Sequence, residues 1–176
     1  MNGAPLTPDH GFPARAFVPG VPGARSVKWV QSVALKKGPS EQPWNQYYYK
    51  DAAAVEIQSL PLQSLILSAN ATSTTATLKG VAYGGGSGLA VKRVEVSSDD
   101  GATWRDATLL KEAAPDDSAG AYGWVRWSLD APLAGSATFV CRATDAVGTT
   151  QPEVAPKNRG YIFNGWSKKT VVAAGV

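Results

Sequence analysis

From Ile57 onward the chain is a succession of short segments in which apolar and polar residues alternate, divided at even spacing by glycine, proline and acidic turns. A period of two marks a strand with one face buried. The segments 64–69, 76–83, 90–97, 103–110, 123–129, 138–144 and 167–173 make about seven such strands, the number a two-sheet sandwich uses. Asp99-Asp100-Gly101 lies between two of them, and Asp-Gly is a strong hairpin signal because glycine accepts the positive φ of a tight turn. Val91, Val94 and Val96 with Trp104, and Trp124 with Trp127, supply large apolar faces, and the tryptophans read as core of the sandwich. The fold class expected is all-β, an immunoglobulin-like sandwich. With 18 Gly and 12 Pro in 176 residues, long helices are disfavoured, while 44% apolar and 18% charged residues are values of a globular chain.

Two regions precede the sandwich. Residues 1–37 hold a Pro/Gly-rich loop followed by the alternating run 26–35, SVKWVQSVAL, which predicts a half-buried strand without visible partners nearby. Residues 38–56 predict a connector whose rings, Trp44, Tyr47, Tyr48 and Tyr49, rest against a neighbouring surface. Asn2-Gly3, Pro5, Pro8 and Pro13 describe loop rather than the first element of a domain, so the domain they belong to is expected to begin upstream.

The composition excludes several classes of function. Net charge is +3, with Lys and Arg scattered rather than gathered in a stripe, which argues against nucleic acid. No apolar run reaches membrane-spanning length and the start lacks the order of a signal peptide, so a soluble chain without an address is expected. One cysteine and one histidine cannot build a four-ligand zinc site, and Cys141, in a predicted core strand, reads as a packing residue. No nucleophile elbow accompanies His10, which disfavours hydrolase chemistry. Asp99-Asp100 and Asp116-Asp117 read as turns, and the run 84–88, GGGSG, leads into a strand rather than a helix, so it reads as a loop and not a phosphate cradle.

What remains is the front strip, where His10, Arg15, Arg25 and Lys28 are carried on a loop stiffened by proline and opened by glycine. Fixed cations and backbone amides of this kind can converge on a polyanionic ligand, and the same pattern also describes a solvated basic loop.

The run MNGAPLTPDHGFPARAFVPGVPGARSVKW resembles the end of the molybdenum-cofactor domain in the sulfite oxidase family, where MNG-x-PL, DHGFP-x-R, PG-x-x-GAR and VKW follow in this order. Further matches run along the chain: 60–64 (LPLQS), 79–86 (KGVAYGGG), 93–97 (RVEVS) with 100–104 (DGATW), 151–153 (QPE), 159–160 (RG) and 164–166 (NGW). The resemblance implies two parts, a C-terminal remnant of the molybdenum-cofactor-binding domain over 1–41 and an immunoglobulin-like dimerisation domain over 42–176. It implies that His10, Arg15, Ser26, Val27 and Lys28 contact molybdenum-molybdopterin, and that Arg159 binds a small anionic substrate, sulfite, on its way to sulfate. A homodimer is implied, as is an electron acceptor that the sequence does not identify. The metal-ligating cysteine of the family lies upstream of every residue here, so the chain alone is expected to be inactive. Assimilatory nitrate reductases share the architecture but usually carry an apolar residue where Arg159 stands; a fragment of that type, or a stand-alone sandwich that only pairs or binds, are the alternatives. Relatives occur in the mitochondrial intermembrane space, peroxisome or periplasm.

Overall fold

The structure, a computed structural model, describes residues 3–86, 88–110, 122–156 and 162–175. Eight strands lie among them: β1 (Gln63–Ala71), β2 (Thr75–Tyr83), β3 (Val91–Ser97), β4 (Arg105–Asp106), β5 (Thr108–Leu110), β6 (Val125–Pro132), β7 (Ser136–Asp145) and β8 (Ser167–Val172). They form two antiparallel four-stranded sheets, ordered β1-β2-β6-β5 and β4-β3-β7-β8. Ile66, Leu78, Val94, Val96, Trp127 and Phe139 fill the space between the sheets. The arrangement is an immunoglobulin-like sandwich.

The alternation in β2 explains why this chain packs as it does. Ala76, Leu78, Gly80 and Ala82 all face inward, and Gly80 stands opposite Trp127 in the β2–β6 register. A Cβ at position 80 would lie 2.3 Å from the indole ring and 2.1 Å from the Leu65 carbonyl oxygen. Trp127 therefore occupies, fully buried, the volume that a side chain at 80 would take.

The β3–β4 hairpin forms where Asp-Gly predicted it. Asp100 and Gly101 have φ of 57° and 93°, the signs that the two central residues of a type I′ turn require. The Ser97 hydroxyl accepts the amides of Asp99 (3.1 Å) and Gly101 (2.9 Å) and donates to the Asp99 carboxylate at 2.6 Å. That carboxylate also accepts the Thr103 amide at 2.9 Å. The hydroxyls of Ser97 and Thr103, with the Thr103 amide, lower the carboxyl pKa to about 2.

Three expectations are corrected. The run 103–110 is two strands, because the chain crosses between sheets at Ala107. The Ala107 amide still bonds to Val94 of the second sheet at 2.9 Å, while Thr108 is already paired with Ser128 of the first. Alternation continues through the crossing, so the pattern does not reveal it. The run 26–35 is not a strand: Trp29 sits at φ 56°, which breaks the extended path. Only two backbone bonds tie its start to residues 14–16, and Leu35 is 97% exposed. Of the tryptophans expected in the core, Trp127 alone is there. Trp124 is 54% exposed against Tyr83, and Trp104 packs edge-on to Trp166 on the outer side of the second sheet, with the Arg142 guanidinium 3.9 Å above its ring. Among the described residues no helix is long and apolar enough to cross a membrane.

Replacing Gly80 with alanine is expected to cost about 3 kcal/mol, since the core has no room to yield around the indole. Gly38→Ala, in open space, is expected to stay within about 0.5 kcal/mol; denaturant unfolding of the two variants measures the contrast. The Asp99 contribution to stability is fully present above about pH 4 and is lost as pH falls through about 2, because the folded state holds the carboxylate more tightly ionised than the unfolded chain does. Thermal midpoints followed over that range should slope for the native chain and flatten in Asp99→Asn.

Candidate cofactor-contact strip

Residues 3–50 are shaped by a few specific bonds rather than by regular structure. A 3-10 turn, Pro8–His10, ends at Gly11, whose φ of 106° carries the chain back across Lys28. A side chain at Gly11 would begin 3.0 Å from the Lys28 Cβ, so glycine lets the two segments touch. The Lys28 ammonium donates to the Asp9 carbonyl at 2.9 Å and lies 4.5 Å from the centre of the Trp29 ring. The Trp29 indole N–H donates to the Pro8 carbonyl at 2.9 Å. Arg15 reaches the His10 carbonyl at 3.5 Å, and His10 Nδ1 is 2.6 Å from the Thr7 hydroxyl.

Three of the five expected cofactor contacts, His10, Arg15 and Lys28, thus converge on the 8–11 loop. Each is at least partly exposed. Ser26 and Val27 serve the strip itself. The buried Ser26 hydroxyl accepts the Val18 amide at 3.3 Å, and the Val27 carbonyl accepts the Ala16 amide at 2.9 Å. A cleft of about 390 Å³ beside this strip is lined by residues including Ala24, Arg25, Val27, Trp44, Asn45 and Tyr49, but not by His10, Arg15 or Lys28. Arg25 there belongs to a structural junction: it donates to the Asn45 side chain at 2.6 Å and to the Ile57 carbonyl at 3.4 Å. Trp44, Tyr47 and Tyr48 are largely exposed, and Trp44 meets Tyr48 and Tyr49 rather than the sandwich.

The strip is seated on the sandwich by the glycine loop after β2. The Leu60 amide donates to the Gly20 carbonyl at 2.9 Å, and the Gly86 amide donates to the Leu60 carbonyl at 2.7 Å. A Cβ at Gly86 would stand 2.2 Å from the Gly20 oxygen and 2.5 Å from the Ser59 Cβ. Backbone therefore meets backbone, a contact that a pattern of side chains does not announce. The consecutive glycines were the one available signal.

Arg159 lies outside the described residues. Its flanks are described and tied to each other and to β1 and β7. Gln151 accepts the buried Ser64 hydroxyl at 2.7 Å and the Ala143 amide at 3.2 Å, and donates to the Gly165 carbonyl at 2.9 Å. The Trp166 indole donates to the Gln151 carbonyl at 3.0 Å, and the Trp166 amide to Glu153 at 3.1 Å. Cys141 is buried beside Ser64, and burial pushes its thiol up to about 11, which keeps it protonated and inert at neutral pH. Among the described residues no group of three or more His, Cys, Asp or Glu is placed to hold a metal ion.

The sandwich and the cation-bearing strip are thus joined by backbone contacts at Gly20, Leu60 and Gly86. Residues 49–173 match the Mo-co oxidoreductase dimerisation domain, and residues 1–44 match the oxidoreductase molybdopterin binding domain. The chain belongs to the molybdenum-cofactor oxidoreductase family. It is 38% identical to sulfite oxidase of Gallus gallus over 96% of its own length and 40% of that protein's, and 40% identical to mitochondrial sulfite oxidase of Homo sapiens over 96% and 34%. Nitrate reductase [NADH] 1 of Oryza sativa subsp. japonica is 34% identical over 97% and 22%. The sulfane dehydrogenase SoxCD of Paracoccus pantotrophus superposes with a TM-score of 0.81 at 26% identity, covering 99% of this chain and 47% of that one. The chain spans less than half the length of each of these relatives.

Substituting Gly86 with valine is expected to unseat the strip while leaving the sandwich folded. Brief trypsin treatment should then cut at Arg15, Arg25 and Lys28 at least tenfold faster than in the native chain, with the 63–173 sandwich surviving.

Proposed function

We propose that this chain is the cofactor-gripping and subunit-joining part of a molybdenum enzyme that oxidises sulfite to sulfate. The observation that carries the reading is the convergence of His10, Arg15 and Lys28 on one rigidly seated loop, in a chain similar over nearly its whole length to sulfite oxidases. The donor set fits a phosphate-bearing pterin. Lys28 and Arg15 would hold its phosphate through charge-assisted bonds, with Arg15 able to offer two parallel donors. His10 would offer its remaining ring nitrogen to a polar edge. Because proline, glycine and the sandwich already hold the loop, little ordering cost remains when the group binds. The molybdenum centre, when bound, supplies the two-electron oxygen-transfer chemistry.

Arg159 would grip the anionic substrate, since its planar, permanently charged fork suits an oxyanion. The cross-bonds among Gln151, Gly165 and Trp166 hold both flanks of its segment against the sandwich. Upstream residues would supply the metal-binding thiolate, a role that the buried, protonated Cys141 cannot take. On this reading the chain is inactive until joined to the rest of the cofactor domain. The apolar rings left exposed along residues 12–48, among them Phe12, Phe17, Trp29 and Trp44, are the surface which that domain covers.

The test uses the polypeptide that carries both the cofactor domain and this chain, assayed for molybdenum content and for sulfite-dependent reduction of ferricyanide. Arg159→Met should raise KM for sulfite about 10- to 100-fold, the loss of one charge-assisted bond to an anion, with molybdenum content unchanged. Lys28→Met should lower molybdenum content instead. Native turnover at low sulfite in the arginine variant rejects the role given to Arg159; a polypeptide that holds molybdenum but ignores sulfite rejects the reaction.

A further inference from the structure

We propose that Trp29 is a positioning residue, which fixes the Lys28 ammonium against the 8–11 loop and so decides how firmly Lys28 grips the phosphate of the cofactor. This deepens, and rests on, the reading of Lys28 as a phosphate contact. The starting observation is a backbone outlier. Trp29 has a φ of 56°, in the left-handed region that a bulky side chain rarely enters. Its side chain is nonetheless 56% exposed, so burial of apolar surface does not by itself explain the conformation. Backbone strain of this kind persists only where specific contacts hold it in place.

Those contacts are on the Pro8–His10 turn. In an extended chain the side chains of residues 28 and 29 would point to opposite sides. Here both reach the same turn, because the positive φ swings the second toward the side of the first. The Lys28 ammonium donates to the Asp9 carbonyl and the Trp29 indole N–H to the Pro8 carbonyl, each at 2.9 Å. Two consecutive side chains thus hold two consecutive carbonyls. The same ring also meets the ammonium, whose nitrogen lies 4.5 Å from its centre, where the electron-rich face of the indole attracts a cation. Gly11 completes the clamp, since a Cβ there would stand 3.0 Å from the Lys28 Cβ.

This arrangement answers a problem that a lysine poses. Its ammonium is a point charge on a flexible four-carbon stem, and fixing that stem when a ligand arrives costs entropy. With one N–H on the Asp9 carbonyl and the charge resting on the indole, the stem is already fixed. Of the three donors of the ammonium, those not committed to the turn are left for a phosphate oxygen. The carbonyl and the ring are both neutral, so the full charge of the lysine stays available to the ligand. Trp29 needs no contact with the cofactor: it acts through Lys28.

Cofactor retention tests the assignment, in the polypeptide that carries both the cofactor domain and this chain. The readout is the rate of molybdenum loss on prolonged dialysis, and melting of the molybdenum-free form controls for folding. Glycine adopts the left-handed region freely, so Trp29→Gly should melt near the native temperature. It should nevertheless lose molybdenum about fivefold faster, the range of one partly exposed cation–ring contact. Trp29→Phe, which keeps a ring and drops the N–H, should fall between. The decisive comparison is Lys28→Met with and without Trp29→Gly: the double variant should lose molybdenum no faster than Lys28→Met alone. Additive losses, or native retention in Trp29→Gly, overturn the role given to Trp29 and leave that of Lys28 standing. Native retention in Lys28→Met overturns the phosphate contact itself, and the part given to Trp29 with it. Should Trp29→Gly misfold, Trp29→Phe takes its place in the same comparison.

Discussion

The sandwich is organised around an exchange of volume between two paired positions. Trp127 can lie flat in the core only because Gly80, directly across the β2–β6 ladder, has no side chain. A fully buried indole contributes more apolar surface than any other single side chain, and here it reaches from the first sheet toward Val94, Val96 and Phe139 of the second. Once that contact sets the spacing of the sheets, the remaining inward residues of β2 and β6 can be small: Ala76, Ala82 and Ala131 all lie in the same core. Register follows as well, because a slip of one residue would turn every inward side chain of a strand to the opposite face.

The strip and the segments flanking residues 157–161 are attached to that platform through two junctions of different kinds. The strip bearing His10, Arg15 and Lys28 meets the sandwich backbone to backbone, at Gly20, Leu60 and Gly86. Such a contact has no flexible side chain between its two halves, so movement of one is passed directly to the other. The flanks of Arg159 are instead held by a buried polar network centred on Gln151, in which Ser64, Ala143, Gly165 and Trp166 each take part. Leaving any of these partners unpaired inside the protein is costly, which favours one arrangement over its alternatives. The loop bearing His10, Arg15 and Lys28 and the described residues on either side of 157–161, far apart in sequence, are in this way both fastened to the sandwich.

Much of this was legible from residue order. Seven alternating segments correspond to the strands of the sandwich, because burying one face of a sheet imposes a period of two whatever the partners are. Asp-Gly foretold the turn at 99–102, since the positive φ is a local demand. The residues His10, Arg15 and Lys28 could be singled out by their motifs, and they do meet on one loop. Other features were not local. The crossing at Ala107 leaves the alternation unbroken. Trp124 and Trp127 read alike in the sequence, yet one is core and the other exposed. The run 26–35 alternates as a strand should, but a strand exists only with a neighbour to bond to, and Trp29 turns the chain away.

Chain order by itself determined the class of the fold, the turn chemistry and the set of charged groups available to a ligand, because each of these follows from a residue's own conformational preference or from its immediate neighbours. Tertiary structure alone decided which tryptophan is enclosed, where the chain changes sheets and that Gly86 must be a glycine at all. Those outcomes depend on what arrives from far along the chain to occupy the space around a residue, and no residue carries that information in its own identity.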